Sequence, residues 1–113
     1  MIKLADILKE EVIDTKGFSE FAEKRHDGAE KIANDAKEKG GLAMLTYNHF
    51  IVKLPYYDKA NAGKFDLEEG LKEYNELVKK LADSSKNVDF TMTEFQKLVG
   101  KIEVLGELII KAK

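Results

Sequence analysis

The sequence predicts an all-α fold: a compact bundle of four to five helices forming a single domain over residues 1–113. Three observations predict it. Apolar residues recur at helical spacing nearly throughout. Clusters of β-branched residues are few. Proline occurs once, at Pro55, where it should kink or break the third helix. A chain of 113 residues buries roughly two thirds of its unfolded surface and needs no staple.

The first helical segment runs from about Lys3 to Ile13, with Leu4, Ile7, Leu8 and Val12 on one face. The turn Asp14-Thr15-Lys16-Gly17 should end it. The second runs from about Ser19 to Lys39, and Gly40-Gly41 stops it. Its stripe contains Phe18, Phe21, Ala22, Ala29, Ile32, Ala33 and Ala36. The third should begin at Thr46, read as an N-cap, with Leu45 and Phe50 at hydrophobic-staple spacing. Pro55 interrupts it, and residues from Pro55 to Ala62 can form a further short helix closed by Asn61-Ala62-Gly63.

The fourth segment starts at Asp66, paired with Glu69 as a capping box, and carries Leu67, Leu71, Tyr74, Val78 and Leu81. A loop over Asp83-Ser84-Ser85-Lys86-Asn87 follows. The fifth begins at "FTMTEF", where Thr91 and Glu94 form a capping box between Phe90 and Phe95. Gly28, Gly70, Gly100 and Gly106 fall inside helices, where each costs about 1 kcal/mol relative to alanine. Close approach of neighbouring helices is the expected reason.

Composition narrows the function. Nineteen basic and 21 acidic residues give a net charge of −2, no electrostatic footprint for nucleic acid. With no cysteine, disulfides and thiolate metal sites are excluded. No apolar run approaches the roughly 20 residues of a membrane span, and the N-terminus lacks a signal-peptide pattern. A cytoplasmic protein without a membrane partner is expected.

Arg25 is the sole arginine and lies on the apolar line of its helix. Two readings stand for it. Its methylenes cover the core while the guanidinium reaches water, or it meets a carboxylate or an anionic ligand. Glu23 and His26 share a face at i, i+3, but the second such pair that a di-iron bundle needs is missing. His26 and His49 can meet across the second and third helices, as a general base with an acid or as a metal pair, or each can satisfy itself locally.

"KIANDA" (Lys31 to Ala36) has the look of a helix-turn-helix first helix, but the connection to Thr46 is too long for that motif. Adjacent Tyr56 and Tyr57 cannot point the same way, so one should be partly exposed and available as an interface anchor. No nucleophile or glycine-rich phosphate loop has a recognisable setting.

"GAEKIA" (Gly28 to Ala33), Gly40-Gly41, Leu45-Thr46, His49-Phe50 and Leu54 with a tyrosine after it resemble a family of small helical proteins of unknown function from bacteriophages and bacteria. The resemblance covers roughly residues 25 to 60 and implies no activity. The sequence therefore points to a protein that acts by binding, foremost to another protein, as an accessory factor of phage or bacterial origin. A nucleic-acid-associated protein and a metal-dependent enzyme are the alternatives. The candidate binding residues are Arg25, His26, His49, Tyr56 and Tyr57. None is read as catalytic or as a metal ligand, and no cofactor is implied. The apolar run Leu108-Ile109-Ile110 is wider than one face needs and leaves a homodimer open.

Overall fold

The computed structural model describes residues 15–86 and 89–112. Within them the chain is helical, without strands. The helices are α1 (Thr15–Lys39), α2 (Ala43–Ile51), α3 (Leu54–Asn61), α4 (Leu67–Ser84) and α5 (Met92–Ala112). The segment expected from Lys3 to Ile13 lies outside the described residues.

Three boundaries differ from the sequence reading. Thr15 to Gly17, expected as a turn, already belong to α1. One glycine in a helix costs only about 1 kcal/mol, and the half-buried Phe18 and Phe21 one turn on pack against the core. Asp83 and Ser84, expected in a loop, complete α4, and the Ser84 hydroxyl donates back to the Leu81 carbonyl at 2.6 Å. Thr46 is not an N-cap. α2 starts at Ala43 and has no side-chain cap. Its opening amides donate to the preceding turn instead: Ala43 to Gly40, Met44 to Gly41 and Leu45 to Leu42, each at 3.1 Å. Such i→i+3 bonds satisfy the groups a cap would otherwise serve, so Thr46 and the Leu45–Phe50 staple have no terminus to close.

The remaining signals act as expected. Gly40 and Gly41 adopt φ of 64° and 57°, and the Gly40 amide donates to Ala36. The third helix breaks at Val52-Lys53, and Pro55 enters the first turn of α3. Gly63 (φ 74°) ends α3 in a Schellman motif, with Lys64 N–H donating to Lys59 and Gly63 N–H to Ala60. Asp66 caps α4, accepting from the amides of Glu68 at 2.9 Å and Glu69 at 3.4 Å, so the Asp66 half of the expected box forms without the return bond from Glu69. Thr91 and Glu94 make both halves of their capping box.

The fold is organised around α5. On helical spacing, Gly100, Val104 and Leu108 share one face, directed at α2 and α3. Leu98, Leu105 and Ile109 are also buried, on the side where α4 packs. α1 closes over α2 and α3 through Ala22, Ala29, Ala33 and Ala36, small residues that let the helices approach. The expectation about helix glycines holds best at Gly100. A Cβ there would overlap the His49 carbonyl oxygen and meet Val52 Cγ2 at 2.8 Å. Gly70 makes room for the Phe65 ring, Gly106 has ordinary contact with Tyr74, and a Cβ at Gly28 would meet nothing from other parts of the described chain within 4 Å.

Candidate functional site

The contact at Gly100 brings α2 against α5, and the polar side chains around it follow from that registry. Glu103 is one turn past Gly100, and Glu107 is one turn past Val104. Both therefore line the edge of the buried face of α5, one helical turn apart. Each collects partners from the helices opposite.

Glu103 Oε1 lies 2.9 Å from His49 Nε2 and 2.9 Å from Lys53 Nζ. His49 Nδ1 is 3.1 Å from Gln96 Oε1. Lys53 is only 8% exposed, because the break between α2 and α3 turns its stem inward across the Phe50 ring. Partial burial opposes ionisation of Glu103, but the hydrogen bonds and charges of Lys53 and His49 outweigh it and hold the carboxyl below its usual range.

Glu107 Oε1 accepts from the buried Tyr57 hydroxyl at 2.7 Å and pairs with Arg25 Nε at 3.6 Å. Arg25 lies across the Phe21 ring, 5.3 Å from its centroid, with its side chain 56% exposed. Both sequence readings of Arg25 thus apply: it snorkels over an aromatic face and it has a carboxylate. Burial, then the hydrogen bond to a carboxylate, raises the Tyr57 pKa well above the usual phenol range.

His26 Nε2 lies 3.2 Å from Asp58 and its Nδ1 3.4 Å from Asp27. Tyr56 is the partly exposed member of the tyrosine pair and turns to α4, donating to Glu73 Oε2 at 2.5 Å. Burial and that carboxylate raise its pKa as well.

Four of the five residues singled out in the sequence therefore fall in one polar band. Arg25 and Tyr57 share Glu107, His49 holds Glu103 one turn away, and His26 holds Asp58, the residue after Tyr57. Tyr56 faces away from the band. No distance brings His26 to His49. The residues that sequence reading missed are Glu103, Glu107 and Lys53. The signal for the two acids was their i, i+4 spacing at the margin of an apolar stripe. Nothing local marked Lys53, whose burial depends on the helix break.

The chemistry of the band is that of a clamp. Both ring nitrogens of His26 and of His49 lie within hydrogen-bond distance of side-chain oxygens. Among the described residues no buried side-chain nitrogen or oxygen lacks a partner, and no group of three or more acids and histidines is arranged to hold a metal ion. No described helix is long and apolar enough to cross a membrane.

The surface offers a different feature. α4 is strongly amphipathic, yet its single fully buried residue is Gly70. Leu71 and Val78 remain 37% and 40% exposed, although by helical spacing they continue the stripe of Tyr74, whose ring lies against Gly106 of α5. At the start of the same ridge, Phe65, Leu67 and Leu71 border a shallow hollow. Comparison with known proteins adds no identity: no family model, no curated protein and no solved structure matches the chain.

Proposed function

We propose that the protein acts by binding another protein, as an accessory factor, and that the outer ridge of α4 is the surface it uses. The observation that supports this reading is the open ridge itself. An amphipathic helix hides its apolar stripe against a neighbour, and α4 leaves Leu71 and Val78 substantially exposed beside the hollow at Phe65 and Leu67. The polar band around Glu103 and Glu107 joins helices of the chain to one another, and among the described residues no buried side-chain nitrogen or oxygen lacks a partner.

The occupant that suits a straight apolar ridge is an amphipathic helix with one apolar line and charges of both signs on its edge. Beside the ridge run Glu68, Lys72 and Lys79, so a helix with complementary charges along its edge is favoured. A bacteriophage or bacterial setting is the one the resemblance over residues 25 to 60 favours.

The test compares wild type with Leu71→Glu and Val78→Glu as baits, with captured proteins read by mass spectrometry. A protein retained by wild type and by Gly28→Ala, but lost from both ridge variants, is the expected result. Ridge variants that retain everything the wild type retains would remove the reading.

A further inference from the structure

We infer that the two histidines are a proton-operated fastening of the fold, His26 tying α1 to α3 and His49 tying α2 to α5 when their rings are charged. This goes beyond the protein-binding reading and does not depend on the α4 ridge. A neutral imidazole has one N–H and one bare nitrogen, so it donates to one oxygen only, whereas the imidazolium donates from both nitrogens. Both rings have an oxygen at each nitrogen. His26 Nδ1 is 3.4 Å from Asp27 and Nε2 is 3.2 Å from Asp58. An ionised carboxylate has no proton to give back, so a neutral His26 leaves one of those oxygens facing a lone pair. His49 Nδ1 is 3.1 Å from Gln96 Oε1, and Nε2 is 2.9 Å from Glu103 Oε1. The charged ring serves both oxygens at once in each case.

The placement turns protonation into helix joining. Asp27 follows His26 on α1, but Asp58 belongs to α3, while Gln96 and Glu103 both belong to α5. These two rings are the only histidines in the chain, and histidine is the side chain that ordinarily changes charge between about pH 5 and 8. The charged groups that meet His26 are Asp27 and Asp58, both acids. His49 meets Glu103, which favours its charge, and Lys53, which shares the same carboxylate oxygen and opposes it. His26 is therefore the stronger half. The partner carboxylates are half-exposed or more, so solvent screens both contacts, and the fastening tightens a fold that other contacts hold. Its contribution is present while the rings are charged and is lost as pH rises through their titration.

Urea unfolding of the full chain, followed by circular dichroism at about pH 6 and about pH 8, compares wild type with His26→Gln, His49→Gln and the double variant. Glutamine keeps a donor and an acceptor but carries no charge. The folding equilibrium constant of wild type, relative to the double variant, should rise by roughly threefold to tenfold from the higher pH to the lower. His26 should supply the larger share. Asp58→Asn should remove that share, and Gln96→Glu, which makes both acceptors of His49 carboxylates, should enlarge the other.

A wild-type advantage that is equal at the two pH values, or that grows towards the alkaline one, overturns the inference. Ring-nitrogen NMR of folded wild type keeps it falsifiable where a variant folds poorly. Both nitrogens of each ring should carry protons at the lower pH, and one should lose its proton at the higher. Rings with the same protonation at both overturn it.

Discussion

Substituting alanine at Gly28 and at Gly100 should move stability in opposite directions, although both are glycines inside helices. The propensity gain is the same at each, about 1 kcal/mol. At Gly28 nothing lies within 4 Å of the added carbon, so the gain is kept. At Gly100 the added carbon would overlap the His49 carbonyl oxygen and press on Val52 Cγ2 at 2.8 Å. A backbone carbonyl cannot rotate away as a side chain can, so α2 and α5 must separate. Overpacking of this kind costs about 1–3 kcal/mol. Separation also stretches the hydrogen bonds that hold His49 between Gln96 and Glu103, each worth about 1 kcal/mol.

After the propensity gain is subtracted, Gly100→Ala should be destabilised by roughly 1–3 kcal/mol. For a domain of this size that lowers Tm by about 4–12 °C, while Gly28→Ala raises it by about 4 °C. Urea and thermal unfolding followed by circular dichroism measure both. A Gly100→Ala protein as stable as wild type, or two variants shifting together, would refute the close approach of α2 and α5.

Three further outcomes are expected. Glu103→Ala strands the buried Lys53 and should cost roughly 1–2 kcal/mol, discounted for the half-exposed carboxylate. Because the folded-state pKa of Glu103 is lowered, its contribution is present above the ordinary carboxylate range and lost as pH falls through the folded value, so Glu103→Gln should flatten the acid limb of a stability–pH curve. Tyr57→Phe should cost about 1 kcal/mol and should remove a phenolate absorbance step delayed beyond the ordinary tyrosine range. The raised pKa makes the Tyr57 contribution complete below that range and lost as pH climbs through the folded value. Thr91→Ala should lower stability by about 1 kcal/mol, read in a thermal melt, through loss of the Glu94 amide bond.

What could be read from the sequence follows from the range of the interactions involved. Gly40-Gly41, Gly63, Asp66 and the Thr91–Glu94 box act within one turn, and each marks its boundary as expected. Thr46 misled because a turn immediately upstream competes for the same amides, and local pattern does not rank the two. The candidate site was legible as a set of residues but not as an arrangement. Arg25, His49 and Tyr57 stood out as unusual, yet their partners Glu107 and Glu103 lie 50 or more positions away and resemble any surface acid in a chain with 35% charged residues. The exposure of the α4 ridge was likewise invisible, since an amphipathic pattern states which face is apolar and not whether a neighbour covers it.

The central position of α5 has a consequence for biosynthesis. Its pairings with α2 and α3 span 54 residues at His49–Glu103 and 50 at Tyr57–Glu107. Helices made early by the ribosome must therefore wait for the helix they enclose. Until α5 emerges, α1 can already pack on α2 and α3, but the faces of α2 and α3 that meet α5 have no lasting cover. Long loop closure also slows folding relative to bundles built from neighbouring hairpins. A nascent chain of this design should acquire full protease resistance late, when α5 docks.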